Sequence, residues 1–333
     1  MLDDMQSFQV YGLRIRTNLL LPCHPALPDS EFDVLIEAMG PVDALADAGT
    51  LLQRKDFESV WKKDEQVWQV AYGMPDHPNL AVFEINPLQR HIRVSWVPSV
   101  AISTIFHILL GPVLGAWLRL NGRLGLHGGA AVAGTRAFVL LGSSGSGKSS
   151  TLTALLHAGC KLVTDDLAVV EEWPDGTEVH PGPLFVRVWP DTAQVLGYNP
   201  EQLRRVFEDE PSAPPKRLLE YNTPDNHAWR TPAHLHRIYV LERQQALRKV
   251  EITPLLAKDA LHHLLQHVYA GHYLDVDTRP LTFGTCVRLA HSCSVRKVQL
   301  PDDLNNLPQL AQALLADLEG PDPINSGISQ TLA

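Results

Sequence analysis

The stretch "AFVLLGSSGSGKSSTLTALLHAG", from Ala137 to Gly159, constrains the fold of this chain more than any other segment. A short apolar run leads into a loop of glycines and serines, and leucines at helical spacing follow the loop. The segment from Gly142 to Ser149 matches the pattern G-x-x-x-x-G-K-[ST] at every fixed position. Because a strand before the loop and a helix after it are the context in which this pattern binds phosphates, the sequence predicts a nucleotide site here.

The composition of the loop has a physical reason. Backbone N–H groups have to turn inward around a phosphate, and glycine permits this because it has no Cβ. A helix that begins at Lys148 directs unpaired N–H groups and its positive dipole end towards the anion. Lys148 then reaches the β- and γ-phosphates, and the Ser149 hydroxyl is a ligand for Mg²⁺. The residues predicted to bind ATP are Gly142, Ser143, Ser144, Gly145, Ser146, Gly147, Lys148, Ser149 and Ser150. The alternative is a flexible turn that happens to contain a lysine.

Two adjacent aspartates, Asp165 and Asp166, end a short apolar strand 17 and 18 residues after Lys148. A carboxylate at a strand end beside a phosphate loop is where a Mg²⁺-holding residue is expected. Two close carboxylates also raise each other's pKa, which helps one of them to act as a base. Neighbouring residues on a strand point to opposite faces, so one aspartate faces the metal, or both serve the site if the strand ends there. The alternative is a solvated turn.

Other side chains are weaker candidates. His127 begins the strand that leads to the loop, and a lone histidine is more often structural than catalytic. Lys216 and Arg217, in a proline-rich segment, are candidates for phosphate contacts or simply solvated charges. Arg187, on a predicted strand, is either a phosphate ligand or an ordinary exposed residue. A further group of histidines does not share one helical face and is predicted to be structural: His262, His263, His267 and His272.

The chain divides into three predicted parts. Residues 1–98 alternate apolar and polar positions, as in "FQVYGLRIRT", and predict a small β-rich domain. Residues 99–319 form the domain that holds the glycine loop, and residues 320–333 are predicted to be disordered. The apolar run Val100–Leu120 is interrupted by a glycine and a proline, and it is predicted to be a buried helix and not a membrane span. The segment Glu208–His234 is rich in proline and charge and is predicted to be a loop, with the properties of a lid.

A hairpin is predicted immediately before the glycine loop. Leu126–Val132 and Arg136–Leu141 are strand-like, and three residues join them, which is short enough for a hairpin turn. The strand before the loop is therefore expected to be antiparallel to its predecessor. Most nucleotide-binding α/β folds instead alternate parallel strands with helices.

Charge and cysteine content argue against several classes of protein and of site. A net charge of −9 argues against a protein that grips nucleic-acid backbone. The start, "MLDDMQSFQVYG", lacks the apolar region of a signal peptide, so the expected compartment is the cytoplasm. The four cysteines are far apart, which predicts buried free thiols and neither disulfides nor a zinc site.

Three segments together, "LHGGAAVAG…VLLGSSGSGKSS…LHAGCKLVTDD", resemble the core of the HPr kinase/phosphorylase family. They cover Leu126–Val170 and hold the upstream histidine, the loop and the aspartate pair in the family's order. The family shares a fold group with the C-terminal region of phosphoenolpyruvate carboxykinase. The resemblance implies an α/β (α+β) fold with a P-loop core and a hairpin before the loop. It also implies ATP- and Mg²⁺-dependent transfer of a phosphoryl group to a serine hydroxyl.

The resemblance also implies roles, position by position. Asp165 would be the base that takes the hydroxyl proton, and His127 would be the neighbour that tunes or orients it. Asp166 and Ser149 would place Mg²⁺. Lys148 and the amides of the glycine loop would hold the phosphates.

The match has a departure that bears on the acceptor. True HPr kinases carry a signature similar to E-I-R-G-L-G-I-I, where this chain has "EVHPGPLFVRVWPD", and Glu178 is a weak counterpart for the family's acidic metal ligand. HPr and the reverse, phosphorylase reaction are therefore not expected. The segments "FQVYGLRIRTNLLLP" and "PGPLFVRVWPDTAQVLG" resemble HPr kinase-like proteins encoded with ribosomally made peptides, some of which phosphorylate a serine of a lasso precursor. The predicted acceptor is thus a peptide or protein serine. The alternatives are a small-molecule hydroxyl kinase and a nucleotide-gated binding module.

Overall fold

The computed structural model describes residues 5–27, 31–43, 49–55, 58–74, 77–208, 213–223, 226–270 and 278–320. In these ranges the chain is a mixed α/β protein that is rich in strands. The strands form two large sheets and two small strand pairs.

The first large sheet is built from the segment in which apolar and polar residues alternate. Its strands are β1 (Gln6–Val10), β2 (Leu13–Thr17), β3 (His24–Pro25), β4 (Val34–Pro41), β5 (Thr50–Lys55), β6 (Glu58–Lys62), β7 (Trp68–Met74), β8 (His77–Asn86) and β9 (His91–Trp96). Across the described residues their order is β3-β1-β2-β4-β9-β8-β7-β6-β5. The β2–β4 and β4–β9 pairs are parallel, and the remaining pairs are antiparallel. β3 is therefore an edge strand.

A tight hairpin divides "FQVYGLRIRT" into β1 and β2. Its turn residues, Tyr11 and Gly12, both have left-handed backbone, with φ of 58° and 71°. This conformation suits two-residue hairpins because its twist matches that of the strands. The turn packs against the second half of the chain, where the Tyr11 N–H donates to the Pro181 carbonyl at 2.6 Å.

A helical rod follows the first sheet. It consists of α1 (Ile102–Ile108), a π-helical turn (Leu109–Val113) and α2 (Leu114–Leu120). Pro112 lies inside the π turn, where its missing N–H disrupts the regular helical ladder. By length and composition alone the rod could cross a membrane, but 78% of its most apolar stretch is buried inside the protein. The rod shares one continuous apolar core with the first sheet, which agrees with the buried-helix prediction.

The second large sheet carries the glycine loop. Its strands are β10 (Leu124–Ala133), β11 (Arg136–Leu141), β12 (Lys161–Thr164), β13 (Leu167–Trp173), β14 (Gly176–Val179), β19 (Ala233–Gln244), β20 (Glu251–Pro254) and β21 (Ser294–Pro301). The small pairs are β15 (Phe185–Val188) with β16 (Arg217–Glu220) and β17 (Asn222–Thr223) with β18 (Asn226–His227). The helices are α3 (Lys148–His157), α4 (Pro190–Val195), α5 (Ala257–Gln266), α6 (Arg279–Ser292) and α7 (Leu307–Glu319), with 3₁₀ turns at Pro200–Gln202 and Leu304–Asn306.

Five of these strands close into a ring. β10 pairs antiparallel with β11 and β13, β13 with β14, and β14 with β19. β19 then pairs parallel with β11, which completes the circuit. The predicted antiparallel hairpin before the loop is thus present, and the parallel contact between β11 and β19 is added by long-range folding.

β11 is central to this arrangement because both of its faces are buried. Phe138 and Leu140 belong to the apolar core that includes α3 and α7. Val139 and Leu141 belong to the core that includes α5 and α6. A strand buried on both faces reads as a continuous apolar run, and "AFVLL" is such a run. The glycine loop is therefore anchored at the end of a rigid, fully packed strand.

One sequence expectation needs correction, one helix was not expected, and two predicted segments lie partly outside the described residues. The predicted loop Glu208–His234 contains β16, whose pairing with β15 makes this part a strand. Residues 209–212 and 224–225 of that segment lie outside the described residues, as do residues 321–333 of the predicted tail. Helix α6 was not expected, because Thr282, Gly284 and Thr285 favour helix weakly. The cysteines are free and buried, as predicted.

Candidate functional site

The glycine loop connects the end of β11 to the start of α3. Gly142 and Gly147 have φ of +149° and +94°, in the region that side chains disfavour. A Cβ on Gly142 would lie 2.4 Å from Ser146 Oγ and 2.8 Å from the Leu241 carbonyl oxygen, so no larger residue fits. The loop is closed by a hydrogen bond from the Ser146 N–H to the Ser143 carbonyl, at 3.1 Å. The first N–H groups of α3 have no carbonyl ahead of them in the helix, which leaves an anion-binding surface.

Backbone carbonyls of this loop hold the Lys148 side chain in place. Its Nζ donates to the Gly142 carbonyl at 2.7 Å and to the Ser143 carbonyl at 3.2 Å. Burial lowers the pKa of Lys148, and the charges of Asp166 and Asp165 oppose that shift. The ammonium group therefore stands at the mouth of the loop, near the two carboxylates.

Asp165 lies on the glycine-loop side of the site. Its Oδ1 accepts a hydrogen bond from the Ser149 hydroxyl at 3.2 Å. Its Oδ2 accepts from the backbone N–H of Arg187 at 2.9 Å and lies 3.6 Å from the Nε of the same residue. Only 4% of the Asp165 side chain is exposed. The carboxylate and the Ser149 hydroxyl thus converge on one point at the start of α3.

Asp166 faces a different set of partners. Its Oδ1 lies 3.4 Å from His127 Nδ1, and its Oδ2 accepts from Arg187 Nη2 at 2.8 Å and from the Tyr269 hydroxyl at 3.3 Å. Asp166 has left-handed backbone, with a φ of 74°, which is uncommon outside glycine but tolerated by aspartate. This turn ends the strand, and it explains how adjacent aspartates serve one site from two directions.

The surroundings of His127 and Asp166 favour the neutral form of the histidine and the charged form of the aspartate. Burial alone would raise the pKa of Asp166, but the charges of Arg187 and His127 outweigh it and hold that pKa well below its usual range. Burial lowers the pKa of His127 below its ordinary value of 6.5, and the positive charges of Lys148 and Arg187 lower it further. The negative charge of Asp166 opposes this shift but does not cancel it. Near neutral pH the site therefore holds an uncharged imidazole beside an ionised carboxylate.

Arg187 joins the two aspartates. Burial opposes the charge of Arg187, but Asp166 and then Asp165 outweigh burial and raise its pKa. Its side chain is only 19% exposed, so the alternative of an ordinary exposed residue is wrong. Whether Arg187 also contacts a phosphate stays a prediction.

Sequence reasoning missed two tyrosines that wall the site. Tyr269 packs against His127, with ring centroids 5.7 Å apart, and bonds Asp166. Tyr11 comes from the hairpin of the first sheet, and its hydroxyl donates to the Leu110 carbonyl in the π turn at 2.9 Å. Burial raises the pKa of both tyrosines well above the usual value. The "VYG" turn signal marks Tyr11 as a turn residue but not as part of a site, and no local signal marks Tyr269.

Lys216 and Arg217, the two predicted phosphate contacts in the proline-rich segment, have different surroundings. Lys216 lies with its Nζ 5.4 Å from the centre of the Trp189 ring, and its charge reaches both Lys148 and Asp166. Arg217 is turned elsewhere, since its Nε donates to the Pro200 carbonyl at 2.9 Å. Lys216 therefore remains a candidate for the nucleotide site, whereas the position of Arg217 favours a structural role.

The remaining candidates from the sequence are Glu178 and the histidine group, and they occupy different places in the fold. Glu178 is on β14, opposite Glu171 and His234. The backbone carbonyl of His267 accepts from the His127 N–H at 2.6 Å, so this histidine braces the site through its main chain. His272 lies outside the described residues.

The residues present fit Mg²⁺ only together with a nucleotide. Within the described parts of the chain no three His, Cys, Asp or Glu side chains form a metal cage. Mg²⁺ is normally held by one or two carboxylates together with substrate phosphates and water. Ser149 Oγ and Asp165 Oδ1, 3.2 Å apart, are the side-chain oxygens that would supply the protein side of such a site.

Comparisons with known proteins add little. No family model matches this chain, and no curated protein matches it. Among solved structures, the HPr(Ser) kinase/phosphatase from Coxiella burnetii is 13% identical, with a TM-score of 0.31, over 58% of this chain and 94% of that chain. A similarity this low gives no basis for transferring residues or activity.

Proposed function

We propose that this protein is an ATP- and Mg²⁺-dependent phosphotransferase that passes a γ-phosphoryl group to a serine hydroxyl of a peptide or protein. One observation carries the proposal. A glycine loop that starts a helix meets two carboxylates with separate partners, Ser149 for Asp165 and His127 for Asp166. A nucleotide-binding module needs the loop but has no need for a histidine–carboxylate pair beside it.

The loop side of the site would hold the nucleotide. The N–H groups at the start of α3 and the Lys148 ammonium would contact the phosphate oxygens. Ser149 and Asp165 would hold Mg²⁺, which would neutralise charge on the β- and γ-phosphates when bound. This gives Asp165 the metal-binding role that the family resemblance implies for Asp166, because Asp165 is the aspartate bonded to Ser149.

The acceptor side would activate the hydroxyl. The low pKa of Asp166 makes it a weak base, whereas the neutral imidazole of His127 has a free lone pair on one nitrogen. With Nδ1–H directed at Asp166, Nε2 is the acceptor, in the same logic by which a carboxylate orients a catalytic histidine. Nε2 would take the serine proton as the serine oxygen bonds to the γ-phosphorus and the bond to the ADP oxygen breaks.

The direct test is transfer of labelled phosphate. The full chain is incubated with γ-labelled ATP, Mg²⁺ and a pool of serine-containing peptides, with precursor peptides of ribosomal origin among them. Mass spectrometry should find a phosphate on serine. Labelling of small hydroxyl compounds but of no peptide would favour the small-molecule alternative, and ATP binding without any transfer would favour a binding module.

The pH dependence of transfer should report on His127. Because its pKa lies below 6.5, activity should be near its maximum at neutral pH and should fall as the pH drops through the pKa of the imidazole. If Asp166 were the base, activity would persist to much lower pH, since its pKa is held well below the usual range. The measurement is kcat/KM against pH for the wild type and His127→Asn. His127→Asn should lose about 10²–10⁴-fold in rate, together with the acidic limb of the profile.

Asp165→Asn should change the demand for Mg²⁺. The amide keeps the size of the carboxylate but removes its charge, so the Mg²⁺ concentration for half-maximal activity should rise by about 10- to 100-fold. ATP binding measured without Mg²⁺ should stay close to that of the wild type. Asp175→Asn, at an exposed turn, is the matched control and should leave the Mg²⁺ titration unchanged. An unaltered Mg²⁺ requirement in Asp165→Asn would remove this aspartate from the metal site.

A further inference from the structure

Three parallel strands end at the edge of the second sheet where the glycine loop begins. β11 pairs parallel with β19, and β19 pairs parallel with β21. In α/β sheets, ligands bind outside the carboxyl ends of such strands. The segments that leave β19 and β21 are therefore expected neighbours of a ligand held by the glycine loop. The residues assigned to the nucleotide so far include none from either strand.

Arg243, near the carboxyl end of β19, reaches the glycine loop. The strand register places Val240 opposite Leu141, the last residue of β11, so Arg243 lies three residues further on and alongside the loop. A Cβ on Gly147 would lie 3.2 Å from Arg243 Nη2 and 3.3 Å from Arg243 Nε. The guanidinium group thus packs against the backbone of the residue that directly precedes Lys148.

The carboxylate of Asp302 holds this guanidinium group. Asp302 directly follows β21, and its Oδ1 accepts a hydrogen bond from Arg243 Nη1 at 2.8 Å. Nε and Nη2 form the edge nearest Gly147, and among the described residues they have no acceptor. Because 34% of the Arg243 side chain is exposed, a ligand can reach these two donors. Two parallel N–H groups in a fixed fork match two oxygens of a phosphate.

Arg243 and the aspartates lie on different sides of helix α3. Ser149, which bonds Asp165, and Thr151 are two residues apart, so they are about 200° apart around the helix axis. Thr151 lines a shallow groove together with Gly147 and Arg243. The groove encloses only about 10 Å³, so a ligand would lie across it and not inside it.

The position of Arg243 determines which phosphate it can contact. In the proposed function, the metal and Lys148 hold the β- and γ-phosphates on the side of the aspartates. Lys148 Nζ bonds the carbonyls of Gly142 and Ser143 at the first end of the loop, whereas Arg243 packs on Gly147 at its last. A phosphate chain that extends from the aspartates across the start of α3 therefore brings its α-phosphate to the Arg243 side.

We propose that Arg243 binds the α-phosphate of ATP through Nε and Nη2, and that Asp302 keeps the guanidinium group oriented for this contact. The assignment rests on the proposed function for the identity of the nucleotide. Lys148 and Arg243 then hold the triphosphate from its two ends, which directs the γ-phosphate towards the aspartates. Because Asp302 already orients the side chain, less conformational freedom is lost when the phosphate binds.

Calorimetry with the full chain tests this contact without requiring catalysis. The ligands are ATP and inorganic tripolyphosphate, each with Mg²⁺, and the second has three phosphates but no nucleoside. Arg243→Leu should weaken the binding of both by about tenfold or more, because each loses a charge-assisted pair of hydrogen bonds. Arg243→Lys keeps the charge without the fork, so its affinities should lie between those of the wild type and Arg243→Leu.

Arg288→Leu is the matched control. Arg288, on α6, also donates to a carboxylate near the surface, that of Glu172 at 2.9 Å, and its side chain is 58% exposed. Its removal should leave the affinities for ATP and tripolyphosphate unchanged. Since partly exposed ion pairs contribute little to stability, Arg243→Leu and Arg288→Leu should both melt close to the temperature of the wild type.

The outcomes separate this contact from the proposed function. Wild-type affinity for both ligands in Arg243→Leu would overturn the assignment. Weaker binding of ATP alone would also overturn it, because it would place Arg243 at the nucleoside. Weaker binding of both ligands, when the wild type transfers phosphate to no acceptor, would support the contact and contradict the kinase activity. A wild type that binds neither ligand would contradict both proposals.

Discussion

Lys148→Ala should reduce phosphoryl transfer by about 10²–10³-fold, which is the usual loss when one charge that stabilises a transition state is removed. Lys148 Nζ stands over the loop, 2.7 Å from the Gly142 carbonyl, and its charge interacts with both Asp165 and Asp166. The negative charge that develops on the transferred phosphoryl group would lose the lysine ammonium that stabilises it. ATP affinity should fall as well, because the ground-state phosphates also contact this ammonium.

The measurements are kcat, KM for ATP and the dissociation constant of ATP by calorimetry. Lys249→Ala removes an exposed lysine on the surface and should change none of the three. Lys148 is partly buried, and among the described residues its side chain bonds only the carbonyls of its own loop, so thermal unfolding should confirm that the variant is folded. Wild-type ATP affinity in Lys148→Ala would contradict the assignment of the glycine loop to phosphate binding.

Arg187→Leu should lower the free energy of unfolding by about 3–5 kcal/mol, the usual cost of removing one partner from a buried ion pair. Arg187 contacts both carboxylates, at 3.6 Å from Asp165 and 2.8 Å from Asp166, with little exposure to water. Leucine would leave two adjacent carboxylates without their shared cation. Activity should fall together with stability, because Asp165 and Asp166 would no longer be held in place.

The pH dependence of this effect has a definite sign. In the wild type the pKa of Asp166 is lowered in the folded state, so its ion pair stabilises the protein above the ordinary carboxyl pKa and is lost as the pH falls through the lower value. The stability difference between wild type and Arg187→Leu should therefore be largest near neutral pH and should shrink in acid. Urea unfolding at several pH values measures it.

Two further variants serve as references for Arg187→Leu. Arg248→Leu, at an exposed position, should have almost no effect on unfolding. Arg187→Lys keeps the charge without the planar fork and should be intermediate in stability. A pH-independent loss in Arg187→Leu would mean that packing, and not the ion pair, determines the contribution of this residue.

Local signals along the chain account for much of this architecture. The apolar run before Gly142, the loop and the leucines after it predict strand, turn and helix, because each depends on neighbours within a few residues. The hairpin before the loop and the buried rod at Val100–Leu120 follow from the same kind of reasoning. Helix α6 could not be found in this way, since its residues favour helix weakly and it packs against α5, a tertiary contact that no local pattern announces.

The site itself was predicted in part. His127, Lys148, Ser149 and the aspartate pair are all brought together, as their order along the chain indicates. Which aspartate faces which partner was not predictable, because it depends on the left-handed backbone of Asp166 and on the β15 strand that carries Arg187.

The sequence by itself determined that a glycine loop ends a buried strand and that a histidine and two carboxylates accompany it, because these features are encoded by residue type and short spacing. Only the tertiary structure decided that Arg187 links the carboxylates and that Tyr11 and Tyr269 wall the site. Those contacts join residues far apart in the chain, as in the bond from Tyr269 to Asp166 across 103 positions. No local pattern specifies such contacts, since they form only when separate elements pack against one another.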